Sequence, residues 1–293
     1  MQRPRFAGYK PATRTEDVYS HALAYAGLAA ACITLADSEE ARRKAHDAVA
    51  RALELDPALP EAQLASGWVK LHLDWDWPAA RSAFQSAIAR NPNLALAHAA
   101  NASLLTTLGH PEEAIREMQT ALRIDPTSSV LNSDYSWTLY CARHYDEAVA
   151  HSHKILQMDA NSFFGHYYLG KAYVMQQKYP EGVTELKRTV ELARSRSGGA
   201  LAELGRAYAL AGQQAEALKI LATLKKQTGE GSASPYALAV LYASLGDKDL
   251  AFQFLESAYR ARYNRLAWIK VEPDLDPLRS DLRFSELLKR MRL

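Results

Sequence analysis

Small residues recur along this chain at a nearly constant interval. They follow one another after 35, 34, 34, 34, 35 and 34 positions and are Ala45, Ala80, Ala114, Ala148, Gly182, Ala217 and Ala251. A repeat of this length holds two amphipathic helices, which bury their apolar faces only when neighbouring repeats stack side by side. A small side chain at a fixed place in each repeat indicates a close crossing of two helices. The interval therefore predicts an all-α solenoid.

A second set of positions marks the helix ends. Twelve residues after the small residue, four successive repeats carry Pro57, Pro92, Pro126 and Ala160. Proline lacks an N–H and disfavours the α conformation in the residue before it, so the second helix of these repeats is predicted to end just before that position. Glycines between the two helices of three repeats are predicted to adopt the left-handed conformation that closes a helix, and they are Gly109, Gly212 and Gly246.

The composition argues against a nucleic acid or a membrane as partner. Thirty-five Lys and Arg residues are balanced by 33 Asp and Glu residues, which leaves a net charge of +2. This balance produces no strong field that would attract a polyanion. The sequence also has no run of about 18 apolar residues, the length that a membrane-spanning helix needs. Cytoplasmic residence is the default expectation, with export the alternative if the chain is a processed fragment.

Two stretches carry the repeat pattern in full. Residues 169–186 are LGKAYVMQQKYPEGVTEL, and residues 204–221 are LGRAYALAGQQAEALKIL. In the spacing of small, bulky and proline positions the chain resembles the tetratricopeptide repeat family. The resemblance implies a right-handed solenoid of about seven helix pairs over residues 18–263. A polar segment, residues 1–17, is expected before the solenoid, and an extended segment with a C-terminal capping helix, residues 264–293, is expected after it.

The C-terminal part carries a further resemblance. The stretch LYASLGDKDLAFQFLESAY (241–259) and the later stretch DPLRSDLRFSELLKRM (276–291) are similar to the C-terminal repeat region of bacterial winged-helix, kinase and cyclase regulators. That resemblance implies a sensory or effector region that would act on the output domain of a larger regulator.

Residue types that could support chemistry occur singly. His72, Asp74 and Asp76 could ligate a metal, but an inter-helix loop whose carboxylates are solvated or cap the next helix explains them better. His151 and His153 are two positions apart and so point to different faces of a helix. No zinc-protease spacing, phosphate-binding loop or nucleophile motif is present. We therefore expect no catalytic residue, no cofactor, no metal site and no enzymatic activity. Cys32 and Cys141 are expected to be reduced core residues.

The concave surface is the candidate binding site. In the family that the chain resembles, this surface is lined by first-helix positions that flank a small residue. Transferring those positions gives a protein-binding groove that includes Trp68, Trp137, Tyr140, Tyr167, Lys171 and Arg206. Aromatic residues and Arg contribute most to the affinity of protein interfaces. The alternative is that Trp68 and Trp137 only pack between adjacent first helices.

Three functions agree with these features. The first is a non-catalytic scaffold that binds a peptide or helix of another protein in the concave groove. The second is the effector region of a larger regulator. The third is a structural protein that forms head-to-tail filaments, because residues 21–36 and the helix near residues 281–291 offer apolar surface at the two ends of the solenoid. The alternative to self-association is that residues 1–17 and 264–280 fold back and seal both ends.

Overall fold

The computed structural model describes residues 14–34, 39–193, 198–229 and 234–293. Within these ranges the chain is helical and has no strand. The polar segment expected over residues 1–17 lies outside them except for residues 14–17. The helices are α1 (Arg14–Thr34), α2 (Glu39–Leu55), α3 (Pro60–Val69), α4 (Trp77–Arg90), α5 (Ala95–Leu108), α6 (Pro111–Ile124), α7 (Ser129–Cys141), α8 (Tyr145–Met158), α9 (Phe163–Met175), α10 (Tyr179–Leu192), α11 (Gly198–Leu210), α12 (Gln214–Gly229), α13 (Pro235–Ser244), α14 (Lys248–Arg260) and α15 (Leu282–Arg290).

Consecutive helices pack as pairs, from α1 with α2 to α13 with α14. Close contacts also join successive first helices, such as α5 with α7 and α7 with α9, whereas no comparable contact joins successive second helices among the described residues. The array therefore curves with the first helices on its inner, concave side. Seven helix pairs in this arrangement confirm the all-α solenoid that the 34-residue interval predicts.

The small residues lie at the crossings where they were expected. Ala45, Ala114 and Ala148 have 0% exposure. At Gly182 an added Cβ atom would lie 3.1 Å from the carbonyl oxygen of Gly170, so the backbones of α9 and α10 approach too closely for a larger residue. A second-helix position that tolerates only Ala or Gly explains why the interval is so regular.

The turn inside each pair from α3–α4 to α13–α14 uses a left-handed residue. Gly109 has φ +84°, as expected of glycine, but the corresponding residues of other pairs are Trp75 (φ 56°), Arg143 (φ 66°) and Gln177 (φ 61°). A left-handed non-glycine residue costs roughly 1 to 2 kcal/mol, which the packing of the pair must offset. Two of these residues direct their side chains toward the C-terminal part. The Trp75 ring lies 5.4 Å from the Tyr259 ring, and Arg143 pairs with Asp276.

The solenoid curves back until its last pair contacts its second pair. The Arg262 guanidinium donates to the carbonyl oxygen of Leu73 at 3.0 Å and lies 5.2 Å from the centre of the Trp75 ring. The indole N–H of Trp77, in α4, donates to the carbonyl oxygen of Met291 at 3.0 Å. The curvature therefore brings the C-terminal end of the array onto its second pair.

The C-terminal helix α15 covers α14. Arg283 pairs with Asp249 at 2.8 Å and Arg290 pairs with Glu256 at 2.8 Å. Residues 264–280, which lie between α14 and α15, are hereafter the C-terminal segment. It forms two 3-10 turns, Asn264–Trp268 and Pro273–Leu278, and contacts α5 and α13. The segment thus enters the concave groove, whereas the sequence suggested an extended stretch that seals the end of the solenoid. Ion pairs between distant residues account for the difference.

Candidate functional site

The six groove residues named from the sequence lie on α3, α7, α9 and α11. Five of them are buried, namely Trp137, Tyr140, Tyr167, Lys171 and Arg206, and Trp68 is half-buried. Three aromatic rings surround one cation, because the Lys171 ammonium lies 4.7 Å from the centre of the Tyr140 ring, 5.3 Å from that of Tyr167 and 5.8 Å from that of Trp137. Trp68 lies apart from this group, beside His72.

The C-terminal segment covers these residues. The Tyr140 hydroxyl donates to Oδ1 of Asp274 at 2.5 Å, and the Lys171 ammonium donates to the other carboxylate oxygen of Asp274. Arg206 Nε lies 3.5 Å from Asp274 Oδ1. A single aspartate of the segment therefore connects α7, α9 and α11.

A second carboxylate of the segment extends the contact. Glu272 accepts from Arg265 at 2.7 Å and from the Tyr236 hydroxyl. Glu203, on α11, accepts from Lys171 at 2.9 Å. Three cations and three anions, Lys171, Arg206, Arg265, Glu203, Glu272 and Asp274, form what we call the central network. Their formal charges cancel when all six groups are ionised.

Burial and neighbouring charge set the pKa values of the central network. Burial alone would raise the pKa of Asp274, but Lys171 and Arg206 outweigh it and hold that pKa well below its ordinary value. Burial alone would lower the pKa of Lys171, but Asp274 and Glu203 raise it well above its ordinary value. Burial and the charge of Asp274 raise the pKa of Glu203 to about 7. Asp274 and Lys171 are therefore ionised and paired at neutral pH.

Beside the C-terminal segment the groove stays open. A cavity of about 260 Å³ lies between α3, α5, α7, α9 and the first turn of the segment. We call it the aromatic cavity, and its lining includes Trp68, His72, Ser103, Asp134, Trp137, Phe164, Tyr168, Arg265 and Trp268. Phe164 stands at the rim, because 46% of its surface is exposed.

The aromatic rings of the cavity pack against one another. Trp68 stacks on His72 with centroids 5.1 Å apart, and Trp268 meets His72 edge-on at 5.2 Å and Trp137 edge-on at 5.9 Å. The Arg265 guanidinium lies 4.9 Å from the centre of the Trp137 ring. Trp137 and Arg265 therefore line the cavity and also contact the filled part of the groove.

Several polar atoms of the aromatic cavity lack partners. Among the described residues no hydrogen bond reaches His72 Nδ1, Ser103 Oγ or Trp268 Nε1. Asp134 is half-buried, and its carboxylate has no hydrogen-bond or ion-pair partner within the described chain. Burial raises the pKa of Asp134 to about 6 and lowers the pKa of His72 to about 4. At neutral pH the cavity therefore contains a neutral imidazole and an unpaired carboxylate. Unsatisfied buried polar groups are costly, and they are common at sites that bind a ligand.

The residues considered as metal ligands separate in the structure. His72 is buried in the aromatic cavity, whereas Asp74 Oδ1 lies 3.1 Å from His46 Nε2, and Asp76 caps α4 by accepting from the N–H of Ala79 at 3.0 Å. His151 packs edge-on against Tyr135. In the part of the chain that the structure describes, no three His, Cys, Asp or Glu side chains are grouped as metal ligands.

Cys32 and Cys141 are free and buried. None of the described helices combines the length and the apolar character that crossing a bilayer requires.

Sequence reasoning missed the residues that the C-terminal segment brings into the groove. Arg265, Trp268, Glu272 and Asp274 lie in a stretch that was expected to be part of a cap. One signal could have found them, since EPDLD (272–276) is acidic and the groove was expected to hold two cations. Asp134 gave no signal, because a carboxylate on a helix is ordinarily solvated.

Comparison with known proteins agrees with the fold. The tetratricopeptide repeat family model matches residues 97–128 and residues 236–265, which are the α5–α6 and α13–α14 pairs. Curated protein sequences give no match.

Similar solved structures cover most of the chain. PilW, titled a widely conserved type IV pilus biogenesis factor, is 17% identical, with a TM-score of 0.59 over 78% of this chain and 98% of that chain. A tetratricopeptide repeat protein from Parabacteroides merdae is 18% identical, with a TM-score of 0.60 over 86% of this chain and 98% of that chain. At these identities the likeness shows a shared fold. Residues 97–128 and 236–265 match the tetratricopeptide repeat model, and the seven helix pairs and these structural relatives show that the chain has the fold of a tetratricopeptide repeat solenoid.

Proposed function

We propose that this protein is a non-catalytic scaffold that binds a segment of another protein at the aromatic cavity. One observation supports the proposal. Aromatic side chains, some exposed and some buried, lie together with polar atoms that lack partners at one place on the concave side. Aromatic side chains that surround a desolvated pocket are the usual anchoring points of protein interfaces.

The size of the aromatic cavity favours a protein segment over a free small molecule. At about 260 Å³ it is smaller than the roughly 300 to 1,000 Å³ of a typical small-molecule site, and it matches the side chain of one anchoring residue. The rest of the partner would lie across the rim near Phe164. The central network leaves no room for a longer peptide along the groove, because Lys171 and Arg206 are already paired with Asp274.

A photo-crosslinking experiment tests this proposal. A benzophenone amino acid replaces Phe164 at the rim in one variant and Leu218, an exposed residue of the second helix α12, in the matched control. After illumination in a lysate of the cells that make the protein, we expect an adduct at position 164 and none at position 218. The captured segment is then synthesised, and its affinity for the full chain is measured by calorimetry.

Three variants complete the test. Trp68→Ala and Phe164→Ala should each weaken binding of the synthesised segment, whereas Leu218→Ala should not. Equal amounts of adduct at positions 164 and 218 would show that the partner does not bind at the aromatic cavity. The same conclusion would follow if neither Trp68→Ala nor Phe164→Ala changed the affinity.

Head-to-tail self-association is the second candidate function. It is supported by α1, whose surface includes Tyr19, Leu23 and Leu28 with 48%, 40% and 49% exposure. At the other end α15 buries Phe284 and leaves Leu282 as the large exposed apolar residue, so the second surface that such a contact needs is small. Light scattering, which measures the molecular mass, on the full chain and on its Leu23→Lys variant distinguishes a self-associating protein from a monomer. A mass that rises with concentration and returns to that of the monomer in the variant would favour assembly.

A further inference from the structure

We propose that the aromatic cavity recognises a positively charged side chain of the partner, an arginine in the first place. This inference rests on the scaffold function proposed above and adds the chemistry of the partner. Asp134 supplies an unpaired carboxylate, and Trp68, Trp137 and Trp268 supply the surrounding aromatic rings.

The charges around the aromatic cavity leave one negative charge unmatched. Arg265 also lines the cavity, but its guanidinium pairs with Glu272 at 2.7 Å. His72 stays neutral, since burial lowers its pKa to about 4, and burial raises the pKa of the Tyr168 phenol further above neutrality. The remaining charge in the cavity is that of Asp134, so a cation on the partner is electrostatically complementary.

The alternatives fit the aromatic cavity less well. An anionic side chain would be repelled by Asp134. An apolar side chain would remove water from the half-buried Asp134 without replacing the lost hydrogen bonds, which is costly for a carboxylate. A cation is attracted both by the carboxylate and by the negative faces of the aromatic rings.

Arginine fits better than lysine for geometric reasons. Its planar guanidinium stacks on aromatic rings and donates two parallel hydrogen bonds to a carboxylate. The Arg265 guanidinium already lies 4.9 Å from the centre of the Trp137 ring, so a ring of the cavity wall accepts a guanidinium at its face.

Selection from a random dodecapeptide library on the immobilised full chain tests the inference. We expect the selected peptides to share an arginine at one position and to depend on Trp68 for binding. For a selected peptide, Asp134→Asn should weaken the affinity about tenfold or more, since a hydrogen bond to a charged group contributes about 1.5 to 3 kcal/mol. Glu181→Gln, which removes an exposed carboxylate on the second helix α10, is the matched control and should have no effect.

A substitution in the peptide keeps the test independent of the variant's stability. Replacing its arginine by citrulline removes the charge with little change of shape and should weaken binding to the wild-type chain about tenfold as well. Affinity should also rise about tenfold from pH 5 to pH 7 as Asp134, with a pKa of about 6, ionises. This rise should be absent in Asp134→Asn.

The outcomes separate the two proposals. Peptides that require Trp68 but share no cation, or that bind Asp134→Asn and wild type equally, would overturn the cation inference and leave the scaffold function standing. A selection that yields no peptide dependent on Trp68 or Phe164 would overturn both.

Discussion

The filled and the open parts of the concave groove differ in how their charges are satisfied. In the filled part, the central network pairs every cation with an anion, and two of its anions, Glu272 and Asp274, come from the C-terminal segment. In the open part, Asp134 has no counter-ion in the described structure, and the aromatic cavity has space for one more side chain. The first arrangement stabilises the fold, and the second is suited to a partner.

This difference separates stability from binding on a single surface. Residues of the central network lose their partners when one member is removed, and a buried charge without a partner is strongly destabilising. In the open part, the Asp134 carboxylate lacks such a partner within the described chain, so its removal should not weaken the fold. Substitutions in the filled part should therefore lower the free energy of unfolding, whereas substitutions in the open part should mainly weaken the binding of a partner.

The largest effect is expected at Asp274, the carboxylate that contacts Tyr140, Lys171 and Arg206. Asp274→Ala removes the nearest counter-ion of Lys171, which keeps Glu203 at 2.9 Å and Glu272 at 3.8 Å, and leaves Arg206 with Glu203 alone. The free energy of unfolding, measured by urea titration, should fall by about 3 to 5 kcal/mol. Asp134→Asn is the control from the open part and should not lower it, because this substitution removes a carboxylate whose pKa is raised to about 6 by burial. A loss below about 1 kcal/mol for Asp274→Ala would mean that the segment adds little to the fold.

A double substitution sharpens this prediction. Replacing Lys171 by Met together with Asp274 by Leu removes the central ion pair without leaving either charge unpaired. Apolar residues often replace a buried ion pair at little cost, so the double variant should be more stable than Asp274→Ala alone. If both variants unfold at the same urea concentration, then the loss in Asp274→Ala comes from packing and not from unpaired charge.

A smaller effect, on binding only, is expected at the rim. Phe164→Ala should weaken the binding of an arginine-containing peptide from the library by about 2 kcal/mol, as is usual for an aromatic anchor. The free energy of unfolding should change by less than about 1 kcal/mol, because 46% of the Phe164 surface is already exposed. Calorimetry and urea titration on the same preparation measure the two quantities. A change that is larger for stability than for binding would assign Phe164 to the core.

The smallest effect is expected for the pH dependence of the stability of the fold. The pKa of Glu203 is raised to about 7 in the folded chain, so the folded state keeps a proton that the unfolded state releases above about pH 4.3. The contribution of Glu203 to stability is therefore largest at low pH and falls as the pH rises toward 7. In thermal melts between pH 5 and pH 7, Glu203→Gln should lose less stability than wild type. An identical pH dependence would mean that Glu203 is ionised in the fold throughout this range.

The repeat could be predicted because its cause is local. A helix crossing that accepts only Ala or Gly, as at Gly182, appears once in each unit and so becomes visible as a period. The left-handed turns were predicted only where glycine marks them. Trp75, Arg143 and Gln177 occupy the same place in their own units, and the successive 34-residue steps that connect them with Gly109 were the available signal.

The filling of the groove could not be predicted in the same way. The contact between Lys171 and Asp274 joins residues 103 positions apart, and no periodic pattern reports it. Lys171 and Arg206 were recognised as groove cations, but the choice between a partner's carboxylate and the chain's own depends on where the C-terminal segment lies. That position is set by the return of the seventh pair to the second pair, which is a property of the whole array.

Chemical labelling of Lys171 tests most directly whether the C-terminal segment fills the central groove. Lys171 has 0% exposure beneath Asp274, whereas the Lys219 side chain on α12 is 72% exposed. Brief treatment of the native full chain with an amine-reactive ester, followed by mass spectrometry, should modify Lys219 and leave Lys171 unmodified. In Asp274→Ala, Lys171 should become reactive. Modification of Lys171 in the wild-type chain as fast as Lys219 would contradict the account, because it would show the groove open at its centre.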